Sequence, residues 1–121
     1  MKTTARKGWA PGGKVVIAVD FDNVIHRYDK GWRKGELYGF PVVGAIDALN
    51  KLRSRVDEVY ILTARAIDEE SSNAVRAWLK EWGVGDTDTI EVTNIKKPAT
   101  AYIDDRAIRF TNWADMLRYW T

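Results

Sequence analysis

The chain has 121 residues, 45% of them apolar and six of them tryptophan, so it is long enough to bury one hydrophobic core and we expect a single domain. Its 19 basic and 17 acidic side chains leave a net charge of +2, a mild preference for anionic ligands that neither implies nor excludes nucleic acid. The sequence contains no cysteine and a single histidine, which excludes a disulfide framework, a thiol nucleophile, a thiolate metal site and a polyhistidine site.

The first thirteen residues are basic and reach Pro11, Gly12 and Gly13 without an apolar run. We therefore expect a flexible solvated tail over residues 1–13, rather than a secretion signal or a nucleic-acid-binding arm. Residues 14–121 are expected to form one α/β domain. No stretch is apolar enough to predict a membrane span, and the lack of cysteine permits a reducing compartment, so we expect a cytoplasmic protein with no membrane partner.

The first predicted element starts at Lys14, where the sequence KVVIAVDFD is almost continuously apolar and typical of a parallel strand covered on both faces. Residues 25–40 are rich in glycine, charge and aromatic side chains, which predicts a loop or short hairpin that connects elements and contributes little to the core. The next segment predicts a helix and then a second strand around Val59 to Leu62. The inward face of that helix is expected to carry Val43, Ile46, Leu49 and Leu52.

Two further helices and two further strands follow. An acidic start and a stop at Gly83 predict a helix whose apolar face carries Val75, Trp78, Leu79 and Trp82. Short strands are expected within residues 89–94 and at 101–103. A capping residue, Thr111 or Asn112, predicts a last helix with Trp113, Leu117 and Trp120 on one face. The tryptophans at 78, 82, 113 and 120 are expected in the core, and the alternation of strands and helices predicts an α/β sheet.

Polar or charged residues follow each predicted strand at the point where it ends. In an open α/β sheet, ligands bind beyond the carboxyl ends of the strands, and parallel strands all end at the same edge. Because side chains alternate along a strand, the carboxyl groups of two residues separated by one position face the same way. The residues expected at this carboxyl edge are Asp20 and Asp22, Thr63 and Arg65, Lys96 and Lys97, and Asp104 and Asp105.

The chemistry of this set indicates phosphoryl transfer. Several carboxylates in one place repel unless a cation lies among them, and hard oxygen ligands favour Mg²⁺. Lysine and threonine add hydrogen-bond donors for an anionic group such as phosphate. An aspartate, with an ordinary pKa of about 3.9, is ionised at neutral pH and attacks phosphorus without a base, while a second carboxylate protonates the leaving oxygen and then activates water.

Four motifs at these strand ends resemble, in this order, the motifs of the haloacid dehalogenase superfamily of phosphohydrolases: DFDNV (20–24), ILTAR (61–65), KKPA (96–99) and YIDD (102–105). The resemblance implies a Rossmann-like three-layer sandwich with a mainly parallel sheet. It also implies a Mg²⁺-dependent phosphomonoesterase that forms an aspartyl-phosphate intermediate. Asp20 would be the nucleophile, Asp22 the general acid/base that also lends its backbone carbonyl to Mg²⁺, and Thr63 a donor to the phosphoryl oxygens.

The same resemblance implies the rest of the site. A lysine would neutralise the phosphate, and spacing favours Lys96, although the neighbouring Lys97 keeps the choice open. The implied metal ligands are Asp20, Asp22, Asp104 and Asp105, with the choice between the last two as direct ligand also open. The implied phosphate-binding residues are Asn23, Ala64, Arg65 and Lys97.

Only residues 25–40 leave room for a flap, so the chain resembles a capless member with an open site. Capless members tend to act on large substrates or to borrow a neighbouring subunit as a lid, so a homo-oligomer is one expected arrangement. The expected substrate is a phosphomonoester. Nucleotides and polynucleotide ends come first, because the flap interleaves basic and aromatic residues as single-strand-binding proteins do. The competing interpretation of the flap is a solvated hairpin.

Simpler interpretations compete with each assignment. The first aspartate pair could be a turn after a strand, and the second could pair on the surface with Arg106 or Arg109. Thr63 could cap the following helix, and Arg65 could be an ordinary solvated arginine. At the level of function, the alternatives are a non-catalytic module that binds phosphate and metal, and phosphotransfer to an acceptor other than water.

Overall fold

A computed structural model describes residues 11–120, and its centre is a four-stranded parallel sheet. The strands are β1 (Val16–Asp20), β2 (Glu58–Leu62), β3 (Val92–Thr93) and β4 (Ala101–Ile103), and their order in the sheet is β3-β2-β1-β4. The predicted parallel α/β sheet is therefore confirmed. The tail expected over residues 1–13 lies mostly outside the described residues.

The three helices begin and end close to the predicted positions. They are α1 (Ala45–Arg55), α2 (Glu69–Glu81) and α3 (Trp113–Leu117). The carboxylate of Asp68 accepts the amide hydrogen of Ser71 at 2.7 Å and caps α2, and Gly83, with a φ of 107°, follows its last turn. Of the two capping residues considered for α3, the side chain of Asn112 accepts the amide hydrogen of Asp115 at 2.9 Å.

Helices α1 and α2 pack on one face of the sheet. The core on that face joins inward residues of the central strands to Leu49 of α1 and to Val75, Trp78 and Leu79 of α2. On the other face, residues 94–100 cross over the sheet, and the hydroxyl of Tyr60 bonds to the backbone of Lys97. The sheet thus carries two helices on one face and this crossing segment on the other, and the three-layer sandwich stays a prediction.

Several residues expected in the core are exposed. Val43 precedes α1 instead of lying within it, and its side chain is in solvent. Trp82 is partly exposed at the end of α2, and Trp113, Leu117 and Trp120 are largely exposed on and after the short helix α3. Of the four tryptophans expected in the core, Trp78 is the one that the structure buries.

The segment 25–40 contributes to the core, contrary to the expectation of a simple connection. Ile25 and His26 are buried, and His26 forms isolated bridges with Asp22 and Pro41. The amide of Arg27 donates to the carbonyl of Phe40 at 2.9 Å, which closes the segment at its base. The flap is therefore anchored beside the end of β1.

No helix among the described residues is long and apolar enough to cross a membrane.

Candidate active site at the carboxyl edge of the sheet

Three carboxylates meet at the carboxyl edge of two neighbouring strands. Asp20 is the last residue of β1, and Asp104 and Asp105 follow β4, which pairs with β1 through Val19 and Ile103. One oxygen from each carboxylate lies within 4.8 Å of those of the other two. The strand-end argument thus brings these residues together, and we name them the acidic cluster.

Asp20 is the least exposed member of the acidic cluster. Its pKa is raised from 3.8 to about 6, chiefly by burial and also by the negative charges of Asp104, Asp105 and Asp22, against the lowering effect of a hydrogen bond from the amide of Phe21. That amide donates to Oδ1 of Asp20 at 2.8 Å. The other carboxylate oxygen therefore remains the one to attack an electrophile or to bind a cation.

The acidic cluster fits a magnesium ion by the chemistry of its donors. All three groups are carboxylates, the hard oxygen ligands that Mg²⁺ prefers at ~2.1 Å. The negative charges of Asp104 and Asp105 add to the effect of burial in raising the pKa of Asp20, so the three carboxylates repel one another. A divalent cation at this place would remove the repulsion.

Asp22 is not part of the acidic cluster, and its carboxylate is held by two other side chains. Arg65 donates from Nε to both oxygens of the Asp22 carboxylate, at 2.8 and 3.1 Å, and Nδ1 of His26 lies 2.9 Å from Oδ1. The Asp22 carboxylate is thus engaged with a buried guanidinium, and the contribution of Asp22 to a metal site through its backbone carbonyl stays a prediction. Asp22 remains next to the cluster, with its side chain about one-fifth exposed.

His26 is fully buried and its tautomer follows from its partners. The amide of Gly39 donates to Nε2 at 3.2 Å, so Nε2 is an acceptor and the proton of the neutral ring lies on Nδ1, from which it is donated to Asp22. The ring stacks on Phe21 at 5.3 Å with an interplanar angle of 5°, and the edge of Trp78 contacts both rings. The sequence showed one histidine but not this role, because its partner Gly39 is thirteen residues away.

Arg65 is buried, which excludes the solvated interpretation. Its Nη1 donates to the carbonyl of Gly35 at 2.9 Å, and the guanidinium lies 5.1 Å from the ring centre of Trp32 and 5.7 Å from that of Tyr28. Its Nη2 is buried with no hydrogen-bond partner. An unpaired buried donor is unfavourable by about 1 to 3 kcal/mol, more when it is charged, so Nη2 of Arg65 is an unsatisfied donor group in this structure.

Three predicted residues at the ends of β1 and β2 surround this region. Thr63 is buried, and its hydroxyl oxygen accepts the amide hydrogen of Arg65 at 3.2 Å within the turn, which leaves the hydroxyl hydrogen to donate elsewhere. The interpretation of Thr63 as the cap of the following helix is wrong, because Asp68 caps α2. Ala64 is exposed and lines the pocket described below. Asn23 also lines this pocket and has a φ of 67°. The backbone N–H of Asn23 donates to the carbonyl oxygen of His26 at 2.8 Å.

The two predicted lysines lie away from the acidic cluster. Nζ of Lys97 pairs with Glu58 at 3.3 Å and with Glu91. Glu58 begins β2 and Glu91 precedes β3, so both lie at the edge of the sheet opposite to the acidic cluster. These pairs raise the pKa of Lys97. The phosphate contact of Lys97 stays a prediction, and Nζ of Lys96 lies over the ring of Tyr102 at 4.6 Å.

A pocket of about 170 Å³ opens beside Asp20, Asp22 and Asp105. Arg106, which follows the fourth motif, also lines this pocket. The sequence suggested Arg106 only as a surface partner of the aspartates. Tyr28 and Trp32 complete the wall from the flap. Their place was not predictable, because an irregular segment has no periodicity that assigns its side chains to a face.

The fold and this site define a parallel α/β protein with a carboxylate cluster and a buried arginine at the carboxyl edge. Comparisons of the chain with protein-family models, with curated proteins and with solved structures give no match.

Proposed function

We propose that the protein is a Mg²⁺-dependent phosphomonoesterase that works through an aspartyl phosphate, as the resemblance to the haloacid dehalogenase superfamily implies. The observation that carries the proposal is the convergence of the acidic cluster and the buried, incompletely paired Arg65 on one pocket. Carboxylates suit a divalent cation and a guanidinium suits phosphate oxygens, so the pocket offers partners to both halves of a metal–phosphate complex.

In the proposed first step, a carboxylate oxygen of Asp20 attacks phosphorus. A bond forms between that oxygen and phosphorus, and the bond from phosphorus to the leaving-group oxygen breaks with a proton supplied by Asp22. In the second step, water gives a proton to Asp22 and attacks the same phosphorus, which releases inorganic phosphate and restores the Asp20 carboxylate. Mg²⁺ bound by Asp20, Asp104 and Asp105 would neutralise charge on the phosphoryl group.

Arg65 links phosphate binding to the release of Asp22. In the free protein the guanidinium occupies both oxygens of the Asp22 carboxylate, which keeps Asp22 in the role of an acceptor. A phosphoryl oxygen that bonds to the guanidinium competes with this pair. Once one oxygen of Asp22 is free, it can hold the proton that the leaving group requires.

The phosphate-neutralising cations of this proposal are Arg65 and Arg106, because both line the pocket and both predicted lysines lie elsewhere. Lys96 is exposed and its side chain is flexible, and its ammonium group can reach the phosphate only if it leaves the ring of Tyr102.

Hydrolysis of a generic aryl phosphate, measured with and without Mg²⁺, tests the proposal. We expect Mg²⁺-dependent turnover in the wild type and its loss in Asp20→Asn. The matched control is Asp88→Asn, an exposed carboxyl in the turn Thr87–Thr89 before β3, which should retain wild-type turnover. Turnover that is independent of Mg²⁺ or unchanged in Asp20→Asn would contradict the mechanism.

A non-catalytic module that binds phosphate and metal is the second candidate. It is favoured by the double hold on Asp22 and by the position of both lysines outside the pocket. This candidate predicts that Mg²⁺ and phosphate bind together, with no turnover of any phosphomonoester. Calorimetric titration of phosphate in the presence of Mg²⁺, set beside the hydrolysis assay, separates the two functions.

A further inference from the structure

A second pocket of about 190 Å³ lies on the other side of Trp32 from the acidic cluster. Trp32 and Arg65 line both pockets, so the two spaces share one wall. The second pocket has an apolar floor that includes Leu37, Ile67 and Val75, and Lys34 and Ser71 also line it.

Trp32 is exposed yet held in place. Half of its surface is open to solvent, while the guanidinium of Arg65 lies 5.1 Å from its ring centre. The ring also packs over Gly35, where an added Cβ would stand 3.3 Å from two of its carbons. The indole is thus fixed from one side and open on the other, as in a stacking platform.

The backbone that carries Trp32 is strained. Two consecutive non-glycine residues, Arg33 and Lys34, have φ values of 46° and 57°, between Gly31 and Gly35 at 71° and 80°. Such conformations are unfavourable for side chains with a Cβ and persist where the surroundings enforce them, most often at ligand-binding sites. Here the carbonyls of both glycines are held, that of Gly31 by the hydroxyl of Tyr38 at 2.7 Å and that of Gly35 by Arg65.

We propose that the second pocket binds a nucleobase stacked on Trp32, so that the substrate is a nucleoside phosphate; this proposal rests on the proposed function. A planar base matches an exposed indole face above an apolar floor, whereas a sugar phosphate without a base has no group for either. The exposed basic residues Arg33, Lys34 and Arg106 suit the phosphates of a mononucleotide or of a polynucleotide end.

Binding to the Asp20→Asn variant in the presence of Mg²⁺ tests the proposal without turnover. The probes are thymidine 5′-monophosphate, thymidine 3′-monophosphate, hexathymidylate phosphorylated at either end, ribose 5-phosphate and inorganic phosphate. Stacking on an aromatic ring strengthens binding about 5- to 150-fold per base. We expect the best nucleotide probe to bind at least about 5-fold more tightly than ribose 5-phosphate by calorimetry.

Substitution of Trp32 in the same background identifies the stacking surface. Trp32→Ala should weaken the binding of nucleotides at least about 5-fold more than the binding of ribose 5-phosphate, while Trp32→Phe should retain most of the preference for nucleotides. The matched control is Trp113→Ala, which removes an exposed tryptophan remote from both pockets and should change neither affinity. Far-ultraviolet circular dichroism checks that each variant is folded.

The outcomes separate this proposal from the proposed function. Equal affinity for ribose 5-phosphate and all nucleotides, or an equal loss for both in Trp32→Ala, overturns the nucleobase site whether or not phosphatase activity exists. A nucleotide preference that depends on Trp32 supports the site even if the wild type hydrolyses no ester, in which case only the catalytic proposal fails. Tighter binding of the phosphorylated oligonucleotides than of both mononucleotides assigns the site to polynucleotide ends, and equal binding assigns it to a single nucleotide.

Discussion

Replacement of Arg65 by methionine and of Asp22 by asparagine, singly and together, measures the ion pair beside the proposed active site. Arg65→Met removes the guanidinium and leaves the Asp22 carboxylate with Nδ1 of His26 and partial access to water. Breaking a buried ion pair costs 3 to 5 kcal/mol, and the exposure of Asp22 lowers the expected loss in the free energy of unfolding to about 2 kcal/mol.

Asp22→Asn should cost more than Arg65→Met. This variant removes the charged partner of the Arg65 guanidinium, whose side chain is 5% exposed. Nη2 of Arg65 already lacks a hydrogen-bond partner. An amide oxygen still accepts from Nε, so we expect about 3 kcal/mol, the lower end of the range for a broken buried pair. The double variant removes both charges and should lose about 3 kcal/mol, which gives a coupling energy of about 2 kcal/mol.

Urea denaturation followed by circular dichroism measures the cycle, with two-state behaviour checked by tryptophan fluorescence. The same cycle on Asp47 and Lys51, an exposed pair in α1 with a distance of 2.9 Å, is the matched control and should give about 0.3 to 0.5 kcal/mol. Additive losses at Asp22 and Arg65 would refute the reasoning, because independent side chains do not form a pair.

Three further predictions concern the acidic cluster, the histidine and the core. The pKa of Asp20 is about 6 in the folded protein against an ordinary value of 3.8, so the free energy of unfolding falls as the pH rises through this range. Asp20→Asn should therefore stabilise the Mg²⁺-free protein by about 1 kcal/mol at pH 8, a value reduced for the partial exposure of Asp20. At pH 3.5 the same variant should have no effect. Thermal melts at both pH values measure this, and destabilisation at pH 8 would contradict it. Gly39→Ala places a Cβ 2.7 Å from the carbonyl oxygen of Arg27, so urea denaturation should show a loss of about 1 to 3 kcal/mol in the free energy of unfolding. An unchanged denaturation midpoint would show that the flap moves to accommodate the methyl group. Trp78→Ala should cost about 3 to 5 kcal/mol and Trp113→Ala less than 0.5 kcal/mol, and similar losses would mean that α3 packs as tightly as α2.

The sheet and the acidic cluster were predictable because each depends on local pattern. Strand β1 is a continuous apolar run, and the rule that parallel strands end at one edge then places Asp20 beside the residues after β4. The cap of α3 was predictable for the same reason, since Asn112 bonds within the first turn of its own helix. In each case, the partners are close in sequence or related by strand order.

The positions of the lysines and of α3 were not predictable by the same rules. Lys97 follows a strand, but residues 94–100 cross the second face of the sheet and carry its side chain to Glu58 and Glu91 at the opposite edge. The helical spacing of Trp113 and Leu117 indicates an apolar face without identifying a surface for it, and α3 is five residues long. Periodicity identifies a face, whereas the partner of that face depends on tertiary packing.

The cation that lies beside Asp22 is Arg65 and not one of the two lysines of the third motif. The residue after Thr63 and Ala64 lies past the end of β2, where the rule of alternating side chains no longer holds, and the turn aims it at Asp22 on the neighbouring strand end. An arginine in this position keeps its charge when buried, whereas a buried lysine loses it readily. A buried position beside an aspartate therefore suits arginine better than lysine, and under the proposed function the unpaired Nη2 of Arg65 would be the donor to a phosphoryl oxygen.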